Sequence, residues 1–306
     1  MPISKAWQLA EAAKAAGKPE AVFIGGSFRE YAAVSRAVMA ILREYSPMVE
    51  QTSVDEAYFD LSRARSFERA AVIARNIQKE IQRTEKITAS VGISPNKLIS
   101  KIAADFKKPN GLTIVFPEDA AVFLAPLSAN VLPGVGPKTE AVLALQKLKT
   151  VADIQHASRE GLIDRFGKYG AALHEYAHGR DERPLEEPRE AKSIGAQETF
   201  RYDTNDPSKL TALLQTLSAG VYKEFVRDGF GAFRIVVLTI RFADFKTLTR
   251  RATLAPLGST AEEIYGVGLR LLLPFLDARE NPQKKLIRLL GIRIEGLSTA
   301  GAPHLF

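Results

Sequence analysis

Residues 49–61 read Val-Glu-Gln-Thr-Ser-Val-Asp-Glu-Ala-Tyr-Phe-Asp-Leu. Apolar and β-prone residues flank the carboxylate pair Asp55-Glu56, a pattern that predicts two strands joined by a tight turn. Adjacent carboxylates at such a junction offer oxygen ligands to a hard divalent cation such as Mg²⁺. Two magnesium ions support in-line phosphoryl transfer, because they stabilise both the attacking and the leaving oxygen. A solvated acidic turn is the alternative, and a dipeptide alone does not separate the two.

The composition is that of a globular protein with a modest excess of positive charge. The 306 residues are 46% hydrophobic and 25% charged, enough for two or three domains with hydrophobic cores. No cysteine is present, so disulfides and thiolate metal sites are excluded. No apolar stretch approaches a membrane span, so we expect no membrane contact and a cytoplasmic location. The net charge of +7 favours a polyanion such as nucleic acid, although an unspecialised basic surface also explains it.

Residues 1–116 read as a mixed α/β domain in which helical and strand patterns alternate. A helix is predicted over 96–105, with its apolar positions turned inward. The sequence Lys-Lys-Pro-Asn-Gly at 107–111 then predicts a turn before the next strand. Lys108 in this turn is able to reach a triphosphate as a point charge, although similar turns are common on protein surfaces.

Residues 117–180 read as helices connected by tight turns. The stretch 132–139, Leu-Pro-Gly-Val-Gly-Pro-Lys-Thr, interrupts two helical patterns. Its glycines permit a tight backbone with exposed amides, and these amides and the next helix N-terminus suit a DNA phosphate. The DNA-binding candidates in this stretch are Gly134, Gly136, Lys138 and Thr139. An ordinary Gly-Pro loop between helices is the alternative.

The last third of the chain has a different pattern. Residues 181–191 carry two prolines and alternating charge, which predicts an extended linker. Residues 192–297 follow the order β-α-β-β-α-β, which predicts a ferredoxin-like sheet with two helices on one face. Alternation in its central hairpin places polar side chains on a common side: Thr239, Arg241, Thr247, Thr249 and Arg251. Such a face suits a phosphate backbone, with a solvated sheet face as the alternative, and residues 298–306 form a C-terminal tail.

In this order, the motifs resemble those of Y-family translesion DNA polymerases, with the bacterial polymerase IV branch fitting best. The resemblance covers nearly the whole chain. In the palm and thumb it rests on residues 45–62, 90–111 and 132–139. In the little finger it rests on residues 192–200, 241–250 and 288–297. It implies an α+β, multidomain fold: a partial palm (1–116), an all-α helix-hairpin-helix thumb (117–180) and a little finger (192–297).

The resemblance also implies residue roles. Asp55 binds the two Mg²⁺ ions, and Glu56 completes the site of the ion that activates the primer 3′-hydroxyl. Ser53 supports the turn, and Lys108 contacts the triphosphate. The implied reaction is attack of the primer 3′-oxygen on the α-phosphate of a dNTP, on primer–template DNA. We expect a monomer, and a sliding-clamp contact through Leu305-Phe306, with a frayed tail as the alternative.

The sequence departs from this family at its start. Members begin with a strand that carries another metal-binding Asp, followed by adjacent aromatics and by a Tyr and an Arg in the fingers. None of these occurs here, and residues 1–7 resemble the end of the fingers. We therefore expect an N-terminally truncated polymerase with little activity alone. The alternatives are a non-catalytic DNA-binding or recruitment paralogue in DNA repair and, more distantly, a helix-hairpin-helix repair protein of other chemistry.

Overall fold

The computed structural model describes residues 1–186, 191–277 and 279–299. The chain divides into two compact units, Met1–Pro188 and Arg189–Phe306, called here the N-terminal unit and the C-terminal unit. Within the described ranges, no helix is both long and apolar enough to cross a membrane.

The N-terminal unit begins with the predicted mixture of helices and strands. In chain order these are α1 (Ile3–Ala15), α2 (Phe28–Tyr45), β1 (Val49–Gln51), β2 (Ala57–Phe59), α3 (Phe67–Glu85), β3 (Val91–Ile93), α4 (Lys97–Phe106) and β4 (Leu112–Ile114). β1 and β2 are antiparallel, with Val49 opposite Phe59, so residues 52–56 form the predicted connection. β3 and β4 form a separate parallel pair.

Helices stabilise these short strand pairs, which alone are marginally stable in water. α2, α3 and β1 share a hydrophobic cluster whose buried members are Met39, Ile41, Leu42, Val49, Ile77 and Ile81. α4 begins where the Asn96 side chain accepts a hydrogen bond from the Ile99 amide at 3.0 Å. Its predicted inner face is confirmed, because Leu98, Ile99 and Ile102 are buried.

The region 117–180 is helical, as predicted. It contains α5 (Ala120–Leu124), α6 (Pro137–Leu145), α7 (Val151–His156), α8 (Arg159–Phe166) and α9 (Lys168–Ala177), with short 3₁₀ turns between them. The inner face of α4 belongs to the same hydrophobic cluster as Leu124, Leu143 and Leu173 of these helices. α4 is therefore fixed by contacts with the helical region, and the domain boundary at residue 116 stays a prediction.

The C-terminal unit has the predicted order β-α-β-β-α-β and one additional short strand. Its elements are β5 (Ser193–Thr204), α10 (Pro207–Arg227), β6 (Phe230–Phe242), β7 (Thr247–Gly258), α11 (Ala261–Leu276), β8 (Ile287–Glu295) and β9 (Ser298–Thr299). The sheet order is β5-β8-β6-β7, with β9 paired to β6. Each βαβ connection therefore has one strand inserted between its two strands, the split βαβ arrangement. Among β5 to β8, taken in chain order, the second strand (β6) and the fourth strand (β8) are central in this sheet. In a ferredoxin-like sheet the first and third strands are central.

The two helices pack on one face of this sheet, as predicted. Val236, Leu238 and Ile240 of β6 are buried in the same cluster as Leu214 of α10 and Ile264 of α11. Because side chains alternate along a strand, the intervening residues of β6 point to the opposite, open face.

Residues 181–186, the described part of the predicted linker, have no helix or strand and are attached to α4 and β1. The Asp181 carboxylate, 1% exposed, accepts a hydrogen bond from the Leu98 amide at 3.1 Å and binds Arg183 at 2.7 Å. The Glu186 amide donates to the Glu50 carboxylate at 3.0 Å. Residues 187–190, and the predicted clamp contact at Leu305-Phe306, lie outside the described residues.

Candidate active site and nucleic-acid surfaces

The loop between β1 and β2 is closed by hydrogen bonds that present two adjacent carboxylates. The amides of Thr52 and Ser53 both donate to the Glu56 carbonyl, at 3.0 and 3.3 Å. The Ser53 hydroxyl donates to Asp55 Oδ1 at 2.5 Å and accepts from the Asp55 amide at 3.2 Å. Ser53 therefore orients the Asp55 carboxylate, which is exposed to solvent.

The Glu56 carboxylate is held by Lys101, a residue of α4 that the sequence analysis did not single out. Lys101 Nζ binds Glu56 and lies 3.4 Å from Asp105 Oδ2. Lys108 Nζ lies 2.5 Å from Asp105 Oδ1. The structure thus brings Lys108 into one chain of contacts with Glu56, through Lys101 and Asp105. The signal for Lys101 and Asp105 was their spacing of four on α4, which places both on one helical face. Lys108 lies two residues beyond the end of α4.

Two opposing effects act on the titration of these groups. Burial alone lowers the pKa of Lys101, but its hydrogen bond with Glu56 and its attraction to Asp105 raise that pKa overall. Burial alone raises the pKa of Asp105, but hydrogen bonding with Lys108 and the charge of Lys101 lower it overall. Both groups are therefore fully charged at neutral pH.

The donor set of the loop suits magnesium. Mg²⁺ takes oxygen ligands, usually one or two carboxylates together with waters and substrate phosphates. Asp55 and Glu56 supply two such carboxylates at a loop open to solvent. Within the described ranges, no group of three or more His, Cys, Asp or Glu side chains is placed to hold a metal ion. Asp55 and Glu56 thus offer two carboxylates of the kind that Mg²⁺ uses, and their binding of the ion stays a prediction.

The glycine-rich hairpin lies immediately before α6. Gly134 has φ +86°, and a Cβ there would lie 2.7 Å from the Tyr169 ring. The Tyr169 hydroxyl donates to the Pro133 carbonyl at 2.8 Å, and burial raises the pKa of Tyr169 to about 12, so it remains a donor. A Cβ on Gly136 would meet nothing within 4 Å.

The N-terminus of α6 is therefore open. Gly136 is its N-cap and supplies no side chain to the free amides of the first turn. Lys138 is exposed and Thr139 is half-exposed beside these amides. Backbone amides, a helix N-terminus and a lysine together suit a phosphate group, without contact to bases.

The open face of the C-terminal sheet carries the predicted polar side chains. In the β6–β7 register, Thr239 is opposite Thr249, and Arg241 is opposite Thr247. Arg251 lies on the same side, opposite Val237 of β6. Arg241 Nε donates to Thr247 Oγ1 at 2.9 Å, which orients the guanidinium group across the hairpin. The common side is thus confirmed by the register, while its contact with DNA stays a prediction.

β8 also contributes to this face, which alternation within the β6–β7 hairpin alone does not predict. Gly291 is paired with Thr239 on one side and with Gln197 of β5 on the other. A Cβ at Gly291 would lie 2.9 Å from the Gln197 Cβ, so only glycine fits there without displacement. Because Gly291 has no side chain, the open face is shallow at this position. Arg293, two residues further along β8, lies on the same face and is exposed.

Comparison with known families gives three matches along the chain. A model of the impB/mucB/samB family matches residues 1–105. A model of the C-terminal domain of that family matches residues 191–305. A model described as the thumb domain of DNA polymerase-iota matches residues 130–181.

Individual relatives match over nearly the whole chain. DNA polymerase IV 2 of Methanosarcina mazei is 40% identical over 298 residues, which are 97% of this chain and 77% of the relative. DNA polymerase IV of Methanoculleus marisnigri is 37% identical over 97% of this chain and 78% of the relative. DNA polymerase IV of Leptospira interrogans serovar Lai is 34% identical over 100% of this chain and 83% of the relative.

Solved structures of polymerases have the same fold. A Y-family DNA polymerase chimera of Dbh and Dpo4 matches with a TM-score of 0.84 at 27% identity, over 98% of this chain and 83% of that chain. The insertion ternary complex of Dbh DNA polymerase matches with a TM-score of 0.65 at 27% identity, over 98% of this chain and 83% of that chain.

Proposed function

The chain belongs to the impB/mucB/samB family of Y-family DNA polymerases, and we propose that its Asp55–Glu56 loop is the catalytic centre of template-directed DNA synthesis. By family it is a DNA-directed DNA polymerase of the polymerase IV type, the class that performs translesion synthesis. The observation that carries the proposal is the contact chain that joins the metal-ligand candidate Glu56 to the triphosphate candidate Lys108.

The proposed reaction is attack of the primer 3′-oxygen on the α-phosphate of a dNTP, with release of pyrophosphate. Two Mg²⁺ ions, when bound, would supply charge stabilisation and alignment of the reacting oxygens. Asp55 and Glu56 provide the carboxylates for these ions, and Ser53 holds the Asp55 carboxylate in place. Lys108 places a positive charge for the triphosphate, in the same contact chain.

Primer–template DNA is proposed to contact two phosphate-binding surfaces. One is the hairpin with Gly134, Gly136, Lys138 and Thr139 at the start of α6. The other is the open sheet face with Thr239, Arg241, Thr247, Thr249 and Arg251. Both offer amides, hydroxyls or positive charges, which bind the DNA backbone independently of sequence. A monomer in the cytoplasm, a role in DNA repair and a clamp contact through the tail remain part of the proposal.

We also propose that these 306 residues alone extend primers slowly or not at all. The family pattern includes a further metal-binding Asp that has no counterpart in these 306 residues. With only the carboxylates of Asp55 and Glu56 to hold it, a bound Mg²⁺ would be weakly held.

Primer extension on an undamaged template tests both statements. The comparison is between this chain and a version that includes the coding sequence upstream of Met1, each with Mg²⁺ and dNTPs. Extension by the longer version only is the expected result. Extension by the 306-residue chain, at a rate that depends on Asp55, would contradict the proposed inactivity and support the proposed site.

The second candidate function is a non-catalytic DNA-binding or recruitment protein of DNA repair. It is favoured by one observation: in the described part of the chain no third metal-ligating side chain joins Asp55 and Glu56. No extension by either version, together with salt-dependent DNA binding, would select this candidate.

A further inference from the structure

Four side chains of alternating charge connect the loop at residue 56 to the turn at residue 108. Glu56 binds Lys101, Lys101 Nζ is 3.4 Å from Asp105 Oδ2, and Lys108 Nζ is 2.5 Å from Asp105 Oδ1. We call this series the charge chain. Two of its members, Lys101 and Asp105, have no part in the proposed mechanism.

The charge chain has a fixed support. Lys101 and Asp105 are one turn apart on α4, whose opposite face is buried. The Ser100 hydroxyl donates to the Gly92 carbonyl at 2.7 Å, and a Cβ on Gly92 would lie 2.1 Å from the Ser100 carbonyl oxygen. α4 therefore lies directly on β3 and cannot rotate, so Lys101 is held on the side of the Glu56 loop.

In the proposed function, each end of the charge chain binds a ligand: Glu56 a divalent cation and Lys108 a triphosphate. A divalent cation binds the Glu56 carboxylate, which already has the Lys101 ammonium as its counter-ion. Two cations cannot both approach one carboxylate closely without mutual repulsion. A triphosphate binds Lys108, which already has Asp105 as its counter-ion. Once Lys108 turns to the triphosphate, Asp105 has Lys101 as its remaining partner in the charge chain.

We propose, on the basis of the proposed function, that Lys101 is a positioning residue that acts as the resident counter-ion of Glu56. A divalent cation displaces the Lys101 ammonium from Glu56, and the displaced ammonium then pairs with the Asp105 carboxylate. Nucleotide binding at Lys108 frees Asp105 to draw Lys101 away from Glu56, so nucleotide and cation bind cooperatively. The charge chain is the coupling between the two sites.

Binding of Tb³⁺ to the 306-residue chain, followed by its luminescence, tests the counter-ion role without any turnover. Tb³⁺ is a hard cation that prefers oxygen ligands, like the ions of the proposed site. Lys101→Met is expected to tighten Tb³⁺ binding about three- to fivefold, the range of a partly exposed ion pair. Lys101→Arg keeps the charge and the reach, and is expected to restore the original affinity.

Lys107→Met is the matched control, because Lys107 is exposed and carries the same charge on the same turn as Lys108. Its effect is expected to be less than half that of Lys101→Met. Equal effects of the two substitutions, or weaker binding in Lys101→Met, would overturn the inference and leave the proposed function standing. If Asp55→Asn leaves Tb³⁺ binding unchanged, the metal site itself is wrong, and the proposed mechanism fails with the inference.

A double-mutant cycle tests the coupling through Asp105. Lys108→Met is expected to tighten Tb³⁺ binding about twofold, since the freed Asp105 draws Lys101 from Glu56. In an Asp105→Asn background the same substitution is expected to have no effect. An undiminished effect in that background would show that Lys108 acts through space, and would overturn the role given to Asp105.

Discussion

The two units carry their candidate functional residues on sheets of very different construction. In the N-terminal unit, β1 to β4 have three residues each and form two separate pairs. In the C-terminal unit, β5 to β8 have 9 to 13 residues and form one sheet over a hydrophobic core. The long sheet determines which side chains share a face through its register alone. The short pairs cannot do so, and the candidate active-site loop at residues 52–56 depends on Lys101 of α4, which binds Glu56.

This difference suggests that the two units tolerate substitutions differently. A residue on the open face of the long sheet contributes contact area and charge to a surface that forms without it. A residue of the loop or of α4 contributes to the position of its neighbours as well. Four substitutions test this comparison, in order of decreasing expected effect.

Phe233→Ala in the sheet core is expected to have the largest effect. Phe233 is fully buried, and its ring packs edge-on against Phe225 with 5.7 Å between centroids. Removing a buried phenyl ring costs about 3–5 kcal/mol of unfolding free energy. Hydrogen exchange read separately for each unit should show the loss in the C-terminal unit only. Val226→Ala, at a 54% exposed position of α10, is the control, and equal losses in both units would contradict the assignment of Phe233 to the core of the C-terminal unit alone.

Asp55→Asn is expected to reduce primer extension at least about 100-fold in whichever version of the protein extends primers. The amide keeps the size of the side chain but removes the charge, and even the outer partners of a metal typically contribute 10–100-fold. DNA affinity should not change, because the loop makes no part of the two phosphate-binding surfaces. Asp60→Asn, whose carboxylate accepts a hydrogen bond from the Ser62 amide at 2.8 Å, is the matched control. Similar losses in both variants would contradict a specific role for Asp55.

Asp181→Asn tests how firmly residues 181–186 are attached to the N-terminal unit. Burial alone raises the pKa of Asp181, but the hydrogen bonds from Arg183 hold this pKa below its usual value. A carboxylate with a lowered folded-state pKa stabilises the fold above the unfolded pKa of about 3.9, and this contribution is lost as the pH falls through the folded value. Asp181→Asn should therefore cost about 1.5–3 kcal/mol at neutral pH, the range of hydrogen bonds to charged groups.

The cost of Asp181→Asn should shrink as the pH falls below the unfolded pKa of about 3.9, because the lowered folded-state pKa stabilises the fold only above that range. Denaturant unfolding of both proteins at about pH 7 and pH 3 measures it. Asp164→Asn, at an exposed position of α8, is the control. A destabilisation that is independent of pH would mean that packing, and not the charge of Asp181, attaches this segment.

Arg251→Ala on the open sheet face is expected to have the smallest effect. It should weaken binding to DNA of any sequence and lower the slope of log affinity against log salt by about 1, as for one lost phosphate contact. Arg227→Ala on α10 is the control, because Arg227 pairs with Glu224 and Asp228 at the end of that helix. Titrations at several salt concentrations measure both, and identical slopes for the two variants would remove the open face from the DNA-binding surface.

Local pattern was sufficient for much of the fold. The order of elements in the C-terminal unit follows from periodicity and turn residues, and the polar side of the β6–β7 hairpin follows from alternation. Two strands joined across Asp55 were predictable for the same reason, since the partners Val49 and Phe59 are close in sequence. The helical face of α4 was equally visible from its apolar spacing.

Contacts between distant residues were decided by the tertiary structure. Lys101 reaches Glu56 across 45 residues of sequence, and Asp181 reaches the Leu98 amide across 83. The strand order, in which β8 lies between β5 and β6, also joins segments that no local pattern relates. Hydrophobic periodicity determines which face of an element is buried, but not which element covers it. By itself the sequence therefore determined the elements and the family. Packing decided that Lys101 and Asp105 connect the carboxylate loop to Lys108.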